Sequence, residues 1–123
     1  MIIPPGVSEL DYKTALERFA SIVGAEWVFT NDEDVALYRD AYSPQYGMDT
    51  DHVASGAIAP QTAEQVQEIL RVCNEFRIPI FAFSTGKNLG YGGAAPVYSG
   101  SMVLDLKRMN KIIEVNEKNH TAI

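Results

Sequence analysis

From Ser84 to Pro96 the chain reads STGKNLGYGGAAP, and four of its nine glycines, Gly86, Gly90, Gly92 and Gly93, fall within eight consecutive positions. Glycine reaches positive φ without steric cost and has no Cβ to hold a neighbouring group away. Successive N–H groups along such a segment can turn toward one anion and form a nest. Lys87 adds a positive charge, and Ser84, Thr85 and Asn88 add neutral donors. The segment is read as a cradle for the pyrophosphate of a dinucleotide. The plain alternative is a long turn whose glycines only relieve backbone strain. Against it, connections in compact domains run about four to six residues, and longer ones are usually functional.

Two better-known phosphate motifs do not fit. The Gly-Lys pair, Gly86-Lys87, is followed by Asn88, whereas a Walker A loop needs Ser or Thr there. Gly90 to Ala95 spells GxGxxA, but it starts several residues after its strand and runs into Pro96 rather than opening a helix.

The flanks predict an α/β domain. Ile78 to Phe83 is a continuous apolar run, the pattern of a strand buried on both faces, with Pro79 at its start. Ala57 to Ala59 predicts a short strand closed by Pro60, and Thr62 with Gln65 forms a capping box. Val66, Ile69, Leu70 and Cys73 then recur on one face of a helix that runs to about Phe76. Strand, helix, strand is a βαβ unit, whose right-handed crossover lays the strands parallel, and α/β folds bind ligands at the ends of such strands. Met102 to Leu106 predicts a further strand, and Ile112 to Asn116 the first arm of a hairpin turning at Glu117 to Asn119. The return arm begins at Thr121 and meets the last residue, Ile123, in mid-pattern, so the natural protein is expected to continue.

Upstream, Ser8 and Asp11 open a helix on which Tyr12, Ala15, Leu16, Phe19, Ile22 and Val23 recur at helical spacing until Gly24 stops it. Trp27 to Phe29 reads as extended, and a second helix start follows at Thr30 or Asn31. There Asp32, Glu33 and Asp34 suit a helix N-terminus better than a catalytic pair. Asp40 to Ser55 has no period and is read as loop or linker. The expected division is a helical lead-in over 1–50 and the organised α/β part over 51–123.

With 123 residues the chain suits a single domain with one hydrophobic core, and its net charge is −6. Its ten basic residues are scattered, which argues against nucleic acid and anionic membrane surfaces. No apolar stretch reaches the roughly 20 residues of a membrane span, and the start Met1-Ile2-Ile3-Pro4-Pro5 lacks a signal-peptide pattern. A cytoplasmic location is expected. The one cysteine, Cys73, has no partner for a disulfide or a CxxC site and is read as a small core residue. His52 and His120 have no ligand spacing around them, so both are read as surface residues and no metal site is expected.

At these residues the sequence resembles a known family. The stretch from Pro60 to Asp105, with PQTAEQVQ leading a helix, IPI leading a strand, STGKNLGYGGAAP and then GSMVLD, is similar to the FAD-binding domain of the vanillyl-alcohol oxidase and p-cresol methylhydroxylase family. The opening PPGV and the run MNKIIEVN fit the 4-phenol-oxidising branch, so the resemblance covers nearly the whole chain. It implies an α/β (α+β) FAD-binding subdomain of the p-cresol methylhydroxylase type, incomplete at its C-terminal end, with FAD as cofactor. It also implies that Ser84, Thr85, Gly86, Lys87 and Asn88 contact the FAD pyrophosphate, with Gly90 and Gly92 in the same cofactor-binding segment. Many relatives carry Arg at the Lys87 position; lysine keeps the charge and lacks the bidentate fork.

The same resemblance gives Tyr91 the catalytic role of holding the substrate as phenolate, which a buried anion requires of some donor. A packing aromatic is the alternative for Tyr91. The implied reaction is oxidation of a para-substituted phenol by hydride transfer from the benzylic carbon to flavin N5. The remainder of the polypeptide and a homo-oligomeric assembly are the expected partners. Other flavin enzymes of the broad fold attach FAD through a histidine within this segment, and none occurs here. Asp105 is placed either near the cofactor's ribose or as a turn cap. The competing reading is a non-catalytic nucleotide-binding or subunit-interaction module that keeps the loop without the chemistry.

Overall fold

The computed structural model describes residues 1–86, 93 and 95–123. Ser8 caps α1 (Glu9–Val23) by accepting the Asp11 N–H at 3.1 Å and donating its hydroxyl to Asp11 Oδ2 at 2.7 Å. Gly24, at φ +94°, ends it. A 3-10 turn over Ala25–Trp27 leads into β1 (Val28–Phe29), and Asn31 caps the short α2 (Asp32–Ala36) through the Asp34 N–H at 2.8 Å. After a long stretch without helix or strand come β2 (Gly56–Ile58), α3 (Ala63–Phe76), β3 (Ile80–Phe83) and β4 (Met102–Asp105). A 3-10 turn over Leu106–Arg108 follows, and β5 (Val115–Asn116) and β6 (Thr121–Ala122) form an antiparallel hairpin. Among the described residues no helix is long and apolar enough to cross a membrane.

The main sheet has the order β1-β2-β4-β3, with β2, β4 and β3 mutually parallel and β1 antiparallel on the outside. The parallel crossover from β2 through α3 to β3 is present as expected. β4, however, arrives later in the chain and takes the place between its two strands. This overturns the expectation that β3 is buried on both faces. β3 is an edge strand, its Ile80, Phe81 and Phe83 half-buried and Ala82 exposed, whereas all four residues of β4 are buried. An apolar run marks a strand but does not say which strand a later segment will flank on both sides.

Alternation along β4 splits the core. Met102 and Leu104 face α1 and α3, joining Tyr12, Phe19, Ile58 and Ile69, while Val103 faces the other way with Ala57, Ala54 and Tyr38. α3 buries Ile69 and Cys73 as expected, with Val66 half-buried against the same core, but Val72 takes the buried place expected of Leu70, which is 39% exposed. Packing of α1 alongside α3 accounts for this, because it covers the Val72 side of the helix. Thr62 accepts the Gln65 N–H at 3.2 Å, but the Gln65 side chain accepts from the Gln61 N–H at 2.7 Å and donates to the Ile22 carbonyl at 3.0 Å. The expected box therefore also ties α3 to the end of α1.

Candidate functional site

Three parallel strands end at the same edge of the sheet, and each is followed there by a different structure. β2 leads through Ala59 and Pro60 to α3, β4 leads into the turn at Leu106–Arg108, and β3 opens directly into the glycine segment at Ser84. Ser84 and Thr85 are exposed, and Gly86 sits at φ +66°. That left-handed conformation is the one that lets consecutive N–H groups converge, and it favours glycine. Lys87, Asn88, Gly90, Tyr91 and Gly92 lie outside the described residues.

The charged groups at this edge are engaged within the protein. Asp105, the last residue of β4, pairs in register with Phe83, immediately before Ser84, and its carboxylate would repel a phosphate if left bare. Both of its oxygens are engaged within the protein. Oδ1 accepts the Lys107 N–H at 3.0 Å, and Oδ2 accepts the Tyr38 hydroxyl at 2.9 Å and lies 3.0 Å from Lys107 Nζ. Asp105 thus caps a turn, which is one of its two expected roles. Burial, reinforced by Asp105, pushes the Tyr38 hydroxyl well above its ordinary pKa, so the tyrosine keeps its proton and donates. Arg108 is committed nearby: its guanidinium stacks over Trp27 at 3.8 Å from the ring centre and donates to the Ala59 carbonyl at 2.6 Å.

The far end of the segment is equally engaged. Pro96 is buried, and its carbonyl lies 3.0 Å from His52 Nδ1. His52 is therefore half-buried and tied to the glycine segment, not the plain surface residue expected. Gly93 approaches Asp40 so closely that a Cβ placed on it would lie 2.3 Å from the aspartate Cγ. Sequence reasoning missed Tyr38, Asp40 and His52 because no periodicity or motif marks them. Among the described residues no group of His, Cys, Asp and Glu gathers into a metal site. Cys73 is buried, and burial pushes its thiol up to about 12.

A parallel strand that opens into exposed Ser84 and Thr85 and a left-handed glycine, beside an acid engaged within the protein, is the place where an α/β domain binds its ligand. The chain belongs to the FAD binding domain family, whose model matches residues 54–123. The donor set at the carboxyl end of β3 fits the diphosphate of that cofactor, and FAD is assigned as its ligand. Over 115 residues the chain is 38% identical to the flavoprotein subunit of 4-cresol dehydrogenase (hydroxylating) from Pseudomonas putida, covering 94% of this chain and 22% of that one. It superimposes on 4-ethylphenol oxidase from Gulosibacter chungangensis with a TM-score of 0.86 at 38% identity, over 94% of this chain and 22% of that one. It is also 34% identical over 110 residues to glycolate oxidase subunit GlcD of Bacillus subtilis, covering 89% of this chain and 22% of that protein. The chain thus spans about a fifth of the length of these relatives.

Proposed function

We propose that the polypeptide carrying this chain is an FAD-dependent oxidoreductase of para-substituted phenols, in which the chain supplies the pyrophosphate loop and part of the phenol pocket. The observation that carries the cofactor half of this reading is Ser84, Thr85 and Gly86 opening at the carboxyl end of β3, hydroxyls exposed and glycine left-handed. Resemblance to two relatives named for para-alkylphenols supports the substrate class. In this reading residues 51–123 are the first part of the FAD-binding domain and residues 1–50 its helical lead-in.

FAD held here supplies the hydride acceptor, its N5, for the benzylic carbon of the phenol. Ser84, Thr85 and Asn88 would donate to the diphosphate together with the backbone amides of Gly86, Gly90 and Gly92. Lys87 offsets part of its double charge. Tyr91 donates its hydroxyl to the phenolate oxygen, whose burial without a donor would be costly.

The test is spectroscopic. The purified full-length protein should carry the yellow absorbance of oxidised flavin, and a 4-alkylphenol added without oxygen should bleach it while glycolate does not. A colourless protein that takes up no FAD would defeat the cofactor assignment. Bleaching by glycolate alone would defeat the substrate class.

A further inference from the structure

After α2 the chain runs from Leu37 to Ser55 without helix or strand, yet this stretch meets the glycine segment at its entrance, its interior and its exit. At the entrance, the Tyr38 ring packs edge-on against Phe83, with centroids 5.5 Å apart and planes at 78°, directly before Ser84. Its hydroxyl is fixed by Asp105 at 2.9 Å. In the interior, the Asp40 carboxylate lies against the Gly93 backbone, where a Cβ would come within 2.3 Å of Cγ and Oδ2. The Tyr42 N–H donates to Asp40 Oδ1 at 3.0 Å and holds that carboxylate in place. At the exit, His52 Nδ1 meets the Pro96 carbonyl at 3.0 Å, while Val53 donates to Ser99 Oγ at 3.3 Å and accepts the Gly100 N–H at 2.6 Å. The base of the stretch is closed by Asp51, which takes the Gly47 N–H at 3.0 Å and pairs with the Arg39 guanidinium.

We propose that the stretch from Tyr38 to Val53 is a clamp that fixes the glycine segment at Phe83, Gly93 and Pro96 for its ligand, with Asp40 and His52 as positioning residues. The proposal rests on the FAD reading of that segment. Its physical basis is that a glycine-rich backbone has the most conformational freedom to lose on binding. Contacts made in advance by a neighbouring stretch remove part of that cost from the binding step. Gly93 is then glycine because the Asp40 carboxylate occupies the space of its side chain.

Steric coupling between Gly93 and Asp40 gives a test by rescue, read as FAD affinity of the flavin-stripped full-length protein and as its melting temperature. Gly93→Ala is expected to weaken FAD binding about tenfold or more and Asp40→Ala about threefold, the scale of coupling between residues in contact. Gly93→Ala/Asp40→Ala should bind FAD no worse than Asp40→Ala alone, because the second change makes room for the first. His52→Ala should weaken FAD binding with the melting temperature of the stripped protein unchanged. If Gly93→Ala does not fold, recovery of soluble protein in the double variant supports the clamp, and failure to recover overturns it. FAD affinity unchanged in Gly93→Ala and His52→Ala, or strictly additive losses in the double variant, would also overturn the clamp and leave the FAD assignment standing. A parent protein with no FAD affinity would instead remove the reading on which the clamp rests.

Discussion

The phenolic hydroxyl of Tyr38 donates to Asp105 Oδ2 at 2.9 Å, joining a residue two places beyond α2 to the last residue of β4. Both side chains are almost completely buried, and Lys107 Nζ closes the group 3.0 Å from the same oxygen and 5.8 Å from the centre of the Tyr38 ring. The acid beside the start of the glycine segment is thereby engaged by Tyr38 from a distant part of the chain and by Lys107 two residues further on.

Removing one of those donors should be felt in the fold. Tyr38→Phe keeps the ring against Phe83 and leaves the Asp105 carboxylate short of a partner, at a cost of about 1–3 kcal/mol. Urea denaturation of the parent and the variant measures it, and a midpoint equal to that of the parent would show that the hydroxyl is dispensable.

The glycine segment predicts a separation of roles. Lys87→Ala should weaken FAD retention about tenfold or more, the scale of a charge-assisted hydrogen bond. Tyr91→Phe should leave retention intact and slow phenol turnover by about a hundredfold, as loss of a donor to a developing or bound oxyanion does. Dialysis against flavin-free buffer and steady-state turnover read the two effects separately. Equal retention in Lys87→Ala would remove lysine from the cradle.

Acid should loosen the stretch that carries Asp40 and His52. The Asp51 carboxyl is held below its ordinary value of 3.8, first by the Gly47 N–H and then by the Arg39 guanidinium. A carboxyl with a lowered folded-state pKa stabilises the fold fully above its unfolded value, and that contribution is lost as pH falls through the lowered one. The acid limb of a stability profile between about pH 5 and pH 2 should therefore flatten in Asp51→Asn, which starts from lower stability near neutrality. Parallel acid limbs in the two proteins would contradict this.

Cys73 should be inert in the folded chain. Its thiol is buried and pushed up to about 12 by desolvation, so almost none of it is thiolate near neutrality. A thiol reagent at about pH 8 should label the native protein very slowly and the denatured protein completely. Rapid native labelling would mean that α3 opens far more readily than its packing implies.

Much of the architecture was legible in local pattern. Ser8 and Thr62 cap the helices their spacing announced, Asn31 is the one of two expected starts that caps α2, and Gly24 stops α1 where the periodicity ended. The segment from Ser84 also leaves its strand where the apolar run ends at Phe83. These features are legible because a cap, a turn or a nest is made by residues a few positions apart. The exchange of Leu70 for Val72 on the buried face of α3 was not legible, since it depends on where α1 comes to rest.

By itself, then, the sequence determined the helix starts, the strand-helix-strand succession and the point at which the glycine-rich segment leaves its strand, all consequences of neighbouring side chains acting on one stretch of backbone. Tertiary structure alone decided that β4 sits between β2 and β3, which made the most apolar run an edge strand. It also brought Tyr38, Asp40 and His52, from the aperiodic stretch, against Phe83, Gly93 and Pro96. Tyr38 lies 67 positions from Asp105 in β4, and His52 lies 44 positions from Pro96. Contacts at that separation leave no periodicity in either strip of sequence, because they are fixed by packing the whole sheet and not by the conformation of either strip.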